Sequence, residues 1–364
     1  MKILNTYVVR GFITAFAMAI LILTFGMTGA NLVKVLDYVS QGIPFMTFVQ
    51  FTACILPIIL TFTVPWAVMV AVMLVFGRLS ADNEITAMRA CGISIMQIVS
   101  PILLITFGLT VLCLYLQVEI GPPLLGKSRD LMEVAVINQP MAMFEPGKSV
   151  EYENTLIYIN DKEGDDKLVG VNLYTLSGKD SYSQSIEAEY GQVMVDKEKQ
   201  IMTIKLFNCM VEDRSQGDSG TLDRFFTSEL AFDFHYGKQA NAERLSIKPK
   251  YMRLADLMGR IHMVKKINQD TTELEIELNQ RIAFALSPIA FLLLGLPLAI
   301  RTSRRETSVG LFLSVILAGV FFLAIIFFES LENFPQFYPQ YLLWIPNIVF
   351  QIIGAVMTYR ISQR

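Results

Sequence analysis

Charge is missing from this chain in the places where it would matter most. Only 17% of its 364 residues are Asp, Glu, Lys or Arg, against about 25% in a soluble domain. The deficit is concentrated. Six stretches, at about Gly11–Val33, Phe51–Gly77, Ile93–Val118, Ile282–Ile300, Ser308–Phe328 and Tyr338–Tyr359, carry no charged residue at all. Ion-driven carriers need ionisable groups at membrane depth, and here Gln97 and Glu119 only approach the ends of a stretch. Carbonyl groups of broken helices remain the one alternative for binding sodium. Histidine is scarce too: His235 and His262 are the whole supply. With no nucleophile elbow, metal cluster or distinctive carboxylate pair, the residues offer no catalytic constellation, and no cofactor is expected. Of the cysteines, Cys54, Cys91, Cys113 and Cys209, only the last lies in a polar region. That region therefore has no internal disulfide, and the spacing is not that of metal ligands.

What is present instead is apolar length. A membrane-spanning helix needs about 20 apolar residues, and each stretch supplies roughly that. The expectation is an integral membrane protein of six transmembrane α-helices, three on each side of a polar insert. Short loops give the orientation, because Lys and Arg resist translocation. Lys2 and Arg10 precede span 1, Arg78 and Arg89 separate spans 2 and 3, Arg301, Arg304 and Arg305 separate spans 4 and 5, and Arg360 and Arg364 follow span 6. The other side has only Lys34, with Asp37, Glu329 and Glu332. Both termini are thus expected in the cytoplasm and the insert outside, which in a bacterium is the periplasm. Span 1 exceeds the roughly 7–15 residues of a signal-peptide core and reads as an uncleaved span. Asn31–Gln50 reads as an external loop turning at Gln41-Gly42-Ile43-Pro44, and Gly121-Pro122-Pro123 as the end of span 3. Pro57 and Pro65 bend span 2.

The insert alternates with period two. Leu156–Ile159, Val169–Leu173, Ile186–Tyr190 and Leu230–Tyr236 read as half-buried antiparallel strands, and Gln192–Val195 pairs with Ile201–Leu206 across Asp196–Gln200. A sandwich, jelly roll or open barrel follows. Leu254, Leu257, Met258 and Ile261 then mark an amphipathic helix, against the β-domain or at the membrane surface. The domains are 1–121 with a short cytoplasmic helix at about 81–91, then 122–250, a connector 251–276, and 277–364. Gly121-Pro122-Pro123-Leu124-Leu125-Gly126-Lys127-Ser128 matches the phosphate-loop pattern by letter only. Two prolines remove N–H donors that such a loop needs, so any ATP is used by another subunit.

The segment between spans 2 and 3 is the most informative. Ser80 or Asp82 can cap a short helix and Gly92 can end it. Asp82 and Glu84 fall early and Arg89 late, as the helix dipole prefers. Ile85 and Met88 share a face suited to a partner's groove. In span 4, Glu277 and Arg281 form an i,i+4 pair at the interface.

The run Asp82-Asn83-Glu84-Ile85-Thr86-Ala87-Met88-Arg89-Ala90-Cys91-Gly92-Ile93-Ser94 resembles the coupling helix of the LptF/LptG permeases, which export lipopolysaccharide. Glu277-Leu278-Asn279-Gln280-Arg281 is similar to a second stretch of that family. Ile186-Glu187-Ala188 with Leu206-Phe207-Asn208 resembles its antiparallel β-jellyroll. The resemblance covers nearly the whole chain and is closer to LptF. It implies a permease subunit of an ABC transporter in the bacterial inner membrane, paired with a second permease and an LptB-like ATPase dimer. It further implies transfer of lipopolysaccharide to a bridge of LptC-like and LptA-like periplasmic jellyrolls, with spans 1 and 5 lining a lateral gate. Glu84 would be the acidic contact to the ATPase, flanked by Asp82, Ile85, Met88 and Arg89. Lys34, with Asn31 and Arg281, would contact substrate. Nucleic acid is not an expected partner. The alternatives are an ABC permease for another lipid or lipoprotein, and a membrane-anchored envelope scaffold without transport.

Overall fold

A computed structural model describes residues 2–40, 44–138, 147, 149–152, 155–164, 167–176, 182–196, 201–213, 223–234, 248–302 and 307–363. His235 and Tyr236 lie outside them, as does the Gln41–Ile43 part of the expected turn. Two compact units divide the chain. One comprises Met1–Leu32, Thr52–Ser128 and Lys248–Arg364, the other Val33–Phe51 and Arg129–Ile247.

The first unit is helical, and the second takes the C-terminal parts of α1 and α5 and the start of α2. In order come α1 (Lys2–Ser40), α2 (Phe45–Ala81), α3 (Glu84–Ala90) and α4 (Ile95–Tyr115). A π-helical turn at Leu116–Ile120 leads into α5 (Gly121–Asn138). After the sheet follow α6 (Leu254–Lys266), α7 (Thr272–Thr302), α8 (Thr307–Glu329), the one-turn α9 (Pro339–Leu342) and α10 (Ile345–Gln363). Among the described residues, six helices are long and apolar enough to cross a membrane. They agree with the six uncharged stretches, but two boundaries differ. The expected loop at Asn31–Gln50 is mostly helix, since α1 runs to Ser40 and α2 starts at Phe45. No Gly or Pro interrupts Asn31–Ser40, so nothing in the sequence stops the helix there. Span 3 likewise does not end at Gly121-Pro122-Pro123. The π turn absorbs the prolines at the start of a new helical segment, where their missing N–H groups cost little. Gly121 is required at this junction: a Cβ there would sit 2.8 Å from the Leu116 carbonyl oxygen. The phosphate-loop look-alike is therefore helix, with the Ser128 hydroxyl donating to the Leu125 carbonyl at 2.8 Å.

Packing within the bundle is uneven. The apolar window of α7 is 72% buried and that of α2 61%, whereas those of α1 and α8 are 17% and 22% buried. The core joins Val68, Met69, Val72, Met73 and Phe76 of α2 to Phe291, Leu292 and Leu296 of α7. Aromatic rings add to it: Phe291 and Phe321 meet edge-on at 4.9 Å, and Phe350 lies 5.3 Å from Phe321. The amphipathic helix α6 lays part of its apolar face on the helix that follows it. Leu257 and Ile261 pack with Leu274 and Leu278 at the start of α7, while Met258 is exposed.

The second unit holds a six-stranded antiparallel sheet in the order β1 (Ser149–Tyr152), β2 (Thr155–Glu163), β3 (Lys167–Leu176), β4 (Tyr182–Asp196), β5 (Ile201–Asp213) and β6 (Asp223–Phe234). The hairpin between β4 and β5 has the expected register, with Asp196 opposite Ile201 and Val195 opposite Met202. Strict alternation fails along one row that crosses the sheet from β2 to β6. Asn160, Gly170, Glu189, Asn208 and Ser228 form a row that the ladder skips between each neighbouring pair of strands from β2 to β6. On either side of that row the buried residues have opposite parity. They are Leu168 against Val171 and Leu173 on β3, Ile186 and Ala188 against Val193 on β4, and Ile204 and Leu206 against Cys209 and Val211 on β5. Gly170 and Asn208 hold φ of 64° and 55°, a conformation that Gly and Asn tolerate best. The Asn208 amide donates to Glu189 Oε2 at 2.7 Å, so polar groups occupy the row.

Candidate functional site: a tethered helix at the arginine-bearing end of the bundle

Helix α3 is short and its ends are set by backbone. Asn83 stands at its N-cap with φ 57° and gives no side-chain cap. Neither expected cap serves: the Ser80 hydroxyl instead donates to the Ile300 carbonyl of α7 at 2.8 Å, and Asp82 is an exposed turn residue. At the other end Gly92 has φ 80°. Its N–H reaches the Arg89 carbonyl at 2.9 Å, and the Ile93 N–H reaches that of Met88 at 3.1 Å. Those paired bonds close the helix with glycine in the left-handed position. Ser94 then opens α4 with a reciprocal cap to Gln97, an S-x-x-Q pattern visible in the sequence.

Ile85 is 5% exposed and belongs to the bundle core, with Met88 packed against it. Ile85 therefore anchors α3 to its own bundle, while Met88 is half-buried beside it and keeps part of its side chain exposed. The exposed surface of the segment is Asp82, Asn83, Thr86, Ala87, Ala90 and Cys91, with Arg89 half-buried.

Glu84 is half-buried and held from α1. The Tyr7 hydroxyl donates to Glu84 Oε1 at 3.2 Å, and Arg78 Nη2 donates to the Tyr7 oxygen at 3.0 Å. One phenol thus connects α1, the end of α2 and α3. The composition gave no sign of Tyr7, which stands 77 residues from Glu84.

The remaining expected residues are elsewhere. Lys34 and Asn31 are in the last turns of α1, with side chains outside the described residues. Arg281 is 4% exposed. Its Nε donates to Glu277 at 2.7 Å, as the i,i+4 spacing implied, and its Nη atoms donate to the carbonyls of Met252 and Pro249 at 2.7 and 3.0 Å. Neighbouring polar residues are equally engaged. Trp344 Nε1 donates to Asn279 Oδ1 at 3.0 Å, and Gln280 Nε2 to Glu329 Oε2 at 2.9 Å. This stretch locks α7 to the connector, to the end of α8 and to the turn after α9. A pocket of about 190 Å³ beside it is lined by Gln117, Lys250, Gln280, Arg281 and Phe284.

A comparison with curated protein sequences finds no match. A family model described as lipopolysaccharide export system permease LptF/LptG matches residues 6–360. The match takes in the six spanning helices, the sheet between the third and fourth spans, and α3 with its tether. It covers LptF and LptG together. The chain belongs to the LptF/LptG family of lipopolysaccharide export permeases and is a multi-pass protein of the inner membrane.

Proposed function

We propose that this chain is one permease subunit of an ATP-driven lipopolysaccharide exporter, with α3 as the helix that receives force from a cytoplasmic ATPase dimer. The arginine-bearing helix ends then face the cytoplasm and the sheet domain lies in the periplasm. A second LptF/LptG permease pairs with it, and the loosely packed α1 and α8 line the gate for substrate. The sheet domain passes the glycolipid to LptC-like and LptA-like jellyrolls. Lys34 and Asn31 meet substrate phosphate or sugar at the outer end of α1. Arg281, which already bonds Glu277 and the Met252 and Pro249 carbonyls, acts by holding the outer end of α7.

The observation that carries this reading is the Tyr7–Glu84 hydrogen bond at 3.2 Å. A docking helix that contacts an ATPase must transmit its displacement to a span that can move. Helix α1 is such a span, because little of its window is buried, and Tyr7 ties it to the acid of α3. The bond also gives a rationale for uncharged spans: work enters mechanically, and apolar walls suit acyl chains.

The test measures ATP turnover and lipopolysaccharide transfer together in proteoliposomes containing the chain and its co-purifying partners. Glu84→Arg is expected to insert normally and lose ATPase assembly or turnover. Tyr7→Phe is expected to keep both while transferring less glycolipid per ATP. Unchanged transfer in Glu84→Arg would overturn the role of α3, and an unchanged transfer-to-ATP ratio in Tyr7→Phe would overturn the tether.

A further inference from the structure

A groove of about 740 Å³ runs between α1 and α2, with Leu311 of α8 also on its wall, at the arginine-bearing end of the bundle. Its walls are apolar, including Ala15, Met18, Leu74 and Val75, and they continue to Ile22. Met18 and Ile22 are 60% and 67% exposed, so the groove is open along one side. Polarity is confined to one end, where Tyr7, Arg10 and Arg78 stand. Thr14 also lines it, with its hydroxyl already donated to the Arg10 carbonyl at 2.9 Å.

Length and charge together select the occupant. From Arg10 to Ile22 is a helical rise of about 18 Å, and one leaflet's hydrocarbon is about 15 Å deep. The groove therefore spans one leaflet, with its cationic end at the interface. Among the described residues neither Arg10 nor Arg78 makes an ion pair; Arg78 donates to the Tyr7 hydroxyl and also feels the attraction of Glu84 and Asp82, which leaves Arg10 as the cation with no acid beside it among the described contacts. A neighbouring transmembrane helix would cover the apolar walls but bring no anion to two guanidiniums. A zwitterionic lipid brings a phosphate with its own cation. An anionic lipid supplies both the chain and the net charge.

We propose that this groove binds an anionic glycerophospholipid of the adjoining leaflet, one acyl chain between α1 and α2 and the phosphate at Arg10 and Arg78. The site is separate from the export reading and stands without it. The bound lipid shares Arg78 with the Tyr7–Glu84 tether, so its headgroup is one residue removed from α3.

The experiment uses the full-length chain, with whatever partners co-purify in mild detergent, in nanodiscs. The probes are phosphatidylglycerol and phosphatidylcholine with the same photoactivatable diazirine acyl chain. Phosphatidylglycerol is expected to label groove-facing peptides of α1 and α2, and phosphatidylcholine several-fold less. Arg10→Ala and Arg78→Ala are each expected to reduce phosphatidylglycerol labelling about fivefold, while Arg10→Lys retains most of it. Ala15→Trp, which fills the groove and leaves both arginines, is expected to abolish labelling. Should that variant fail to fold, the exposed Arg10→Ala and Arg10→Lys pair still decides the matter. Equal labelling by the two lipids, labelling indifferent to Arg10→Ala, or crosslinks from Met18 to a second protein chain instead of lipid would overturn the proposal.

Discussion

Replacing Gly354 by alanine should separate two spans that now touch through backbone. A Cβ at Gly354 would lie 2.5 Å from the Leu293 carbonyl oxygen and 2.6 Å from the Leu294 nitrogen, and closer still to the Leu293 carbonyl carbon. Non-bonded heavy atoms prefer about 3.5–4.0 Å, so α10 must retreat from α7 by about 1 Å. Backbone cannot swing aside as a side chain can, and overpacking of this kind costs about 1–3 kcal/mol. The retreat also carries Phe350, one turn earlier, away from Phe291 and Phe321, now at ring distances of 5.9 and 5.3 Å. Each such pair is worth about 0.5–1.5 kcal/mol, which brings the expected loss to at least about 2 kcal/mol. Gly295→Ala in α7 is the matched control. Its Cβ would meet Met69 Sδ at 3.1 Å, and a methionine end can move, so the cost should stay under about 1.5 kcal/mol. A thiol-reactive fluorogenic dye in detergent reads both, because Cys54, Cys113 and Cys209 are buried in the folded chain. Gly354→Ala should melt several degrees below the parent and Gly295→Ala near it. Equal melting of Gly354→Ala and parent, or an equal drop in both variants, would refute the close-contact reasoning.

Asn208→Val should destabilise the sheet by about 1–2 kcal/mol, since a β-branched residue resists φ 55°; Asn208→Gly should cost less, and hydrogen exchange on β4 and β5 separates the two. Asp270 accepts bonds from the Thr272 hydroxyl and N–H at 2.6 and 3.0 Å, which, the hydroxyl first, hold its carboxyl below the usual 3.8. A depressed carboxylate stabilises fully above its unfolded value and loses that contribution as pH falls through the lower folded value, so protection of the first turn of α7 should drop below about pH 4 and become pH-independent in Asp270→Asn. Cys91, exposed beyond α3, should react with a membrane-impermeant maleimide in inside-out vesicles and not in spheroplasts, whereas burial, which raises the Cys209 thiol, keeps that residue unlabelled from either side until unfolding.

Much of the architecture was legible because it follows from composition over long windows. A helix in hydrocarbon satisfies its own backbone and tolerates no unpaired charge, so the charge gaps located all six spans. Period two located the strands for a similar reason. The failures share a different cause, since each depends on a residue far away in the chain. The row from Asn160 to Ser228 comes from five strands switching parity together, and no single strand announces it. Nothing local distinguished Tyr7 among the 13 tyrosines as the partner of Glu84, because the pairing exists only once α1 lies beside α3. Ile85 and Met88 did share a face, as their spacing required, but spacing does not say whether that face meets the bundle or a partner. The connector helix α6 posed the same ambiguity, and Leu257 and Ile261 of its apolar face meet α7.

The burial pattern separates what holds from what yields. Helices α2 and α7 are tied by core packing, and by the Ser80 hydroxyl on the Ile300 carbonyl. Arg281, Asn279 and Gln280 fix the other end of α7 with side-chain bonds to the connector, Trp344 and Glu329. Against that frame α1 has a largely exposed apolar window and α8 scarcely more cover. Separating a span from an apolar neighbour within lipid exchanges one apolar contact for another, because association there is not driven by exclusion of water. Motion of α1 is therefore cheap where motion of α7 is not. Force applied at α3 would have two routes inward: Ile85, buried in the rigid core, and Glu84 through Tyr7 to α1. The first route resists displacement and the second gives way, so under the proposed reading a push on the short helix moves α1 while the frame stays still.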